Sequence, residues 1–131
     1  MRDINLYKRL IIQAKVDDCR ELIDDDYPER KKIFLNREQK AYFYELGINL
    51  KAFLSNQDEI GKNVSNIELA NYFDVSTKTI QNVFYSIDKP GFYKSTLLSL
   101  LDKTEDIANE NFGTLEEAKA KEKEVVCQWL N

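Results

Sequence analysis

SNIELANYFDVSTKTIQNVFYSI, residues 65–87, holds two short helical patterns separated by three residues. Ser65 with Glu68 three positions on matches a capping box, which satisfies orphan amides at a helix start. Ile67, Leu69, Ala70 and Phe73 then supply the apolar face of a first helix. Ala70 stands where two helices cross closely and a small side chain is needed. Asp74-Val75-Ser76 reads as the turn. Asp74 takes a position that wants a left-handed backbone, which Asp and Asn tolerate better than other non-glycine residues. Val75 plugs the space between the helices, and Ser76 is the expected N-cap of the second. Along that second helix Ile80, Val83 and Phe84 recur at the i, i+3, i+4 spacing of a buried face. Thr77, Lys78, Gln81, Asn82 and Tyr85 fall on the opposite, outward face.

This pattern resembles the helix-turn-helix family of DNA-binding regulators. Leu69, Ala70, Val75, Ser76, Ile80 and Val83 match at the family's spacing, and Asp74 departs from the usual glycine. The resemblance implies that the second helix enters the major groove of double-stranded DNA. Ser76, Thr77, Lys78, Thr79, Gln81, Asn82 and Tyr85 are then the candidate DNA-contacting residues. Gln and Asn pair bidentately with adenine, and Lys suits guanine or phosphate. The run Ile67-Glu68-Leu69-Ala70-Asn71-Tyr72-Phe73 and the later Tyr93-Lys94-Ser95-Thr96-Leu97-Leu98-Ser99-Leu100-Leu101 are similar to RteC-type regulators of conjugative transposons. That similarity implies a regulator of mobile-element genes.

The net charge of the 131 residues is −4, and its distribution is uneven. Residues 17–29 carry a net −6, residues 30–51 a net +4 and residues 102–131 a net −4. Arg30, Lys31 and Lys32, with Arg37 and Lys40, form the densest cationic patch. They are the candidate phosphate contacts, which position a protein on a duplex without reading its sequence. A solvated loop and helix start explains the same residues equally well. The acidic stretches favour a rival reading, a protein-interaction module that uses the same two-helix scaffold against a basic partner.

Outside the central unit the expected fold is all-α, with about six helices in one domain. Its parts are an N-terminal helical part over 1–57, the two-helix part over 64–101 and a C-terminal helix over 114–131. Ile4, Tyr7, Leu10, Ile11, Ala14, Leu22 and Ile23 space a helix over 4–23, ended by Asp24-Asp25-Asp26-Tyr27-Pro28. Asn36 and Gln39 open a helix over 36–55, whose buried side is Tyr42, Phe43, Leu46, Leu50, Phe53 and Leu54. Gly47 costs that helix about 1 kcal/mol against alanine. It marks a close packing or a kink. Residues 55–65 read as a polar connection and Asp88-Lys89-Pro90-Gly91 as a turn. Helices follow over 92–111 and 115–130, the second capped by Thr114. Either of these two helices is a candidate contact for a homodimer on a palindromic site. No strand is expected.

Catalysis is not expected. Histidine is absent, which removes the commonest general base and metal ligand. The four glycines are isolated, so no phosphate loop is present. Asp17, Asp18, Glu21, Asp24, Asp25 and Asp26 form one carboxylate cluster but lack a calcium-loop spacing. No cofactor and no metal are expected. Cys19 and Cys127 read as free thiols with packing roles. No apolar stretch reaches the roughly 20 residues of a membrane span. The charged N-terminus lacks a signal-peptide pattern, so a cytoplasmic location is expected.

Overall fold

The computed structural model describes the backbone of residues 2–55, 64–88 and 91–130, and the side chains of 7–55, 64–88 and 91–124. In chain order the elements are α1 (Arg2–Glu21), β1 (Lys32–Phe34), α2 (Arg37–Ser55), α3 (Asn66–Phe73), α4 (Thr77–Ile80), β2 (Gly91–Tyr93), α5 (Lys94–Phe112) and α6 (Leu115–Leu130). Helix α4 passes without a break into a π-helical turn, Gln81–Tyr85. The protein is all-α apart from one small antiparallel pair of strands.

Local sequence explains most helix boundaries. At the start of α2 the Asn36 side chain accepts from the Gln39 amide at 2.8 Å. The Gln39 side chain accepts in return from the Asn36 amide at 2.9 Å, completing a capping box. Thr114 Oγ1 accepts from the Glu117 amide at 3.1 Å and opens α6. Between α5 and α6, Gly113 takes φ +92°, a conformation that side chains disfavour.

Helix α1 packs between α2 and α5, with α6 against its outer side, and α3 leans on α5. The core is continuous. Ile12, Val16 and Cys19 of α1 meet Phe43, Leu46 and Leu50 of α2 and Leu97, Leu101 and Ala108 of α5. A polar seam runs beside it. Arg9, only 2 % exposed, donates to Asn109 Oδ1 from Nε at 3.2 Å and from Nη2 at 2.8 Å. Arg20 reaches both Asp102 at 2.6 Å and Glu105 at 2.9 Å. A buried guanidinium needs such partners, because an unpaired one costs several kcal/mol.

Three expectations are corrected here, the first being that Tyr7, Ile11 and Tyr42 belong to buried helix faces, since all three are exposed. Strands are present, β1 pairing with β2 in the register Ile33 to Phe92, with both side chains turned into the core. Three-residue strands are too short for a period-2 pattern, and their partners lie far apart in the chain. Residues 92 and 93 therefore belong to β2, and the fifth helix starts at Lys94. The exposed Phe34 ring lies over Gly91, where a Cβ would come within 2.9 Å of it. Most of the expected polar connection, the Lys89-Pro90 turn residues, and the side chains of Ile4, Val125, Val126, Cys127, Trp129 and Leu130 lie outside the described residues.

Candidate nucleic-acid interface

The two-helix unit begins at Ser65, whose side chain accepts from the Glu68 amide at 3.2 Å. Leu69, Ala70 and Phe73 turn inward, and Ile67 stays 64 % exposed. Helix α3 ends at Asp74, which adopts φ 55° and ψ 47°, the left-handed conformation its position demanded. The Val75 amide donates to the Ala70 carbonyl at 3.1 Å, closing the turn. Ser76 then caps α4, accepting from the Thr79 amide at 3.2 Å and lying 2.9 Å from the Thr79 hydroxyl. Ile80, Val83 and Phe84 are buried. The turn and most of the inner face follow from the residues that the sequence pattern singles out, and Ile67, expected on that face, is the exception.

The outer face carries fewer of the candidates than the pattern suggested. Ser76, Lys78 and Gln81 are exposed, while Thr77, Thr79 and Asn82 are half-buried. Tyr85 is turned inward. Its ring meets Tyr44 edge-on with centroids 5.9 Å apart, and the Lys51 ammonium sits 4.3 Å above it. Its hydroxyl is buried without a hydrogen-bond partner. Burial raises the Tyr85 pKa above the usual phenol value. The physical reason is the π-helical turn. The Ser86 amide donates to the Gln81 carbonyl at 2.7 Å, five residues back, and this wider turn rotates Tyr85 away from its place on a regular α-helical wheel.

Lys40 is the larger correction. It is 3 % exposed and is removed from the candidate phosphate contacts. Its ammonium donates to the Asn82 carbonyl at 2.6 Å and to the Val83 carbonyl, and lies 4.4 Å over the Phe92 ring. The last carbonyls of any helix lack internal partners. A cation from α2 supplies them here, with the sign that a helix C-terminus favours. Burial lowers the Lys40 pKa to about 8. A sequence signal for this existed, because Lys40, Phe43, Gly47, Leu50 and Leu54 recur at three- and four-residue steps along one buried stripe. Arg30, Lys31, Lys32 and Arg37 are exposed, with Lys32 stacked 5.6 Å from the Tyr93 ring.

Two further lysines hold the unit and were not singled out by the sequence. Lys103 of α5 donates to the Phe73 carbonyl at 2.6 Å and so terminates α3. Lys51 of α2 donates to the Asn66 side chain at the start of α3. Both helices of the unit therefore end on an ammonium supplied by a flanking helix. Gly47 lets α2 approach closely. A Cβ there would lie 3.0 Å from Phe84 Cβ and 3.0 Å from Tyr85 Oη. The glycine marks tight packing between α2 and the π-helical turn.

Among the described residues no group of three or more His, Cys, Asp or Glu side chains converges as a metal site would require. No described helix is long and apolar enough to cross a membrane. Comparison of the chain with known protein families, with curated proteins and with solved structures finds no match.

Proposed function

We propose that the chain binds double-stranded DNA sequence-specifically through α3 and α4. Its role in this reading is that of a transcriptional regulator of bacterial, phage or mobile-element genes. The observation that carries the proposal is the left-handed Asp74 turn, followed by a Ser76-capped helix that buries Ile80, Val83 and Phe84 and offers Ser76, Lys78 and Gln81 to solvent. Lys78 and Gln81 are the leading base-reading residues, with Asn82 beside them. Arg30, Lys31, Lys32 and Arg37 grip phosphate in this reading. A homodimer on a palindromic site would place the half-sites about one helical turn apart. The buried face of α5 is occupied within the chain's own core, which leaves α6 as the candidate contact.

Selection from a random duplex library tests the proposal, with the Lys78→Ala/Gln81→Ala/Asn82→Ala variant in parallel. The expected result is an enriched motif that the variant loses while keeping its helical circular dichroism. A folded wild-type protein that enriches nothing sinks the proposal.

One observation favours a second reading, a protein-docking module. Lys40, Lys51 and Lys103 all turn into the fold, so the unit's outer face keeps few cations for a phosphate backbone. Salt separates the two readings. Affinity for a duplex falls steeply with ionic strength because released counterions drive binding.

A further inference from the structure

A cleft of about 290 Å³ opens between α2 and the π-helical turn. Tyr44, Phe84 and Ile87 supply apolar walls, Ala41 and Tyr85 complete the lining, and Arg37 and Lys40 are its two cations. Among the described residues no acidic side chain lines it. A neighbouring depression shares Arg37, Lys40 and Ile87 and is also lined by Asp88. Among the described residues the ion pairs involve neither Arg37 nor Lys40. Two cations without a counter-ion therefore meet at an apolar cavity, and one of them is almost fully buried.

Each cation has capacity to spare. An ammonium has three donors, and Lys40 places two of them on the Asn82 and Val83 carbonyls and lies 4.4 Å over the Phe92 ring, so it meets a ligand chiefly as a charge. A guanidinium offers a planar fork that fits a carboxylate in two parallel hydrogen bonds. Ile87 is 61 % exposed at the cleft, leaving apolar surface for a ligand to cover. The volume sits near the lower end of ligand cavities, roughly 300–1,000 Å³, so the occupant is small.

We propose that this cleft binds a small apolar monocarboxylate, with the carboxylate on Arg37 and Lys40 and the hydrocarbon body on Tyr44, Phe84 and Ile87. The site does not rest on DNA binding, although it shares Arg37 with the proposed phosphate contacts. It does bear on the outer helix, because the ammonium that meets the ligand also terminates the helix carrying Lys78 and Gln81. Occupancy draws Lys40 toward a stronger acceptor and alters the Asn82 and Val83 carbonyl bonds.

Nuclear magnetic resonance titration of the full chain tests the site, with benzoate, phenylacetate and octanoate as acids and benzamide as the uncharged control. At least one acid is expected to give saturable shifts at Ala41, Phe84 and Ile87 and at the carbonyl carbons of Asn82 and Val83. Benzamide should bind at least about tenfold more weakly than benzoate, as should benzoate to the Arg37→Gln variant. Arg37 is exposed, so this variant keeps the fold. The Ala41→Leu variant should block the cleft and abolish the shifts. The proposal is overturned if no acid gives saturable shifts up to about 10 mM, a concentration that would detect even feeble binding. Benzamide binding as tightly as benzoate overturns it equally, since the two cations would then have no role.

Discussion

Replacing Gly47 with alanine sets two effects of opposite sign against each other. Alanine favours the helix by about 1 kcal/mol, since glycine loses more backbone freedom on folding. The added methyl, however, would lie 3.0 Å from Phe84 Cβ, 3.0 Å from Tyr85 Oη and 3.2 Å from Phe84 Cγ. Carbon atoms pack best at about 3.5–4.0 Å, so α2 and the π-helical turn must part by a few tenths of an ångström. Phe84 is fully buried and its Cβ is tied to the backbone, so it yields little. Overpacking of this kind costs about 1–3 kcal/mol. The net expectation is a loss of up to about 2 kcal/mol, or a drop of up to about 6 °C in Tm for a chain of this size. Urea unfolding followed by helical circular dichroism measures it. The Tyr85→Phe variant sharpens the test by removing one clashing atom, which is also a buried hydroxyl without a partner. Gly47→Ala should cost less in that background, by about 0.5–1 kcal/mol of coupling. A Gly47→Ala protein more stable than the parent by the full helix gain of about 1 kcal/mol would refute the close approach of α2 to the turn. Strict additivity with Tyr85→Phe would refute the contact to the hydroxyl.

Lys40 gives a pH signature. Its folded pKa is lowered by burial to about 8, below the unfolded value of 10.5, so the unfolded chain binds more protons between the two. Stability from this group therefore rises as pH goes from about 8 toward 10.5. Unfolding curves at successive pH values should show the rise in the parent and lose it in Lys40→Met. An identical pH slope in both proteins rules out Lys40 as its source. Asp74 in the left-handed region is strained relative to glycine, so Asp74→Gly should be neutral or stabilising by up to about 1 kcal/mol, whereas Asp74→Val should cost about 1–2 kcal/mol. Equal melting of the two variants would contradict the turn geometry. Cys19 is fully buried and its thiol pKa is pushed up to about 12, so it should resist alkylation at neutral pH until the chain unfolds. Peptide mapping after iodoacetamide treatment reads this, and rapid labelling of the native Cys19 peptide would show that α1 does not seat as described.

The candidate interface was partly legible from residue spacing. Ser65, Asp74 and Ser76 act through backbone groups a few residues away, and such local hydrogen bonds leave a sequence signature. The inner stripe of Ile80, Val83 and Phe84 obeys helical periodicity and is buried as expected. Tyr85 was misplaced because a helical wheel assumes a constant turn, and the π-helical turn breaks that assumption. Lys40 was misplaced because charge alone suggested solvent. Its neighbours along α2 carried the better signal.

What the sequence determined by itself is the set of helices, their caps and the turn that joins α3 to α4. Each depends on groups close in the chain, where propensity and periodicity act directly. The tertiary structure alone decided the pairing of β1 with β2, the roles of Lys40, Lys51 and Lys103, and the cleft beside Arg37. All of these join segments distant in sequence. A lysine placed on a helix surface is solvated, whereas the same lysine facing the open carbonyls of another helix is buried and bonded. Spacing along α2 marks Lys40 as inward, but only the packing of one helix against another supplies the carbonyls that its buried ammonium meets.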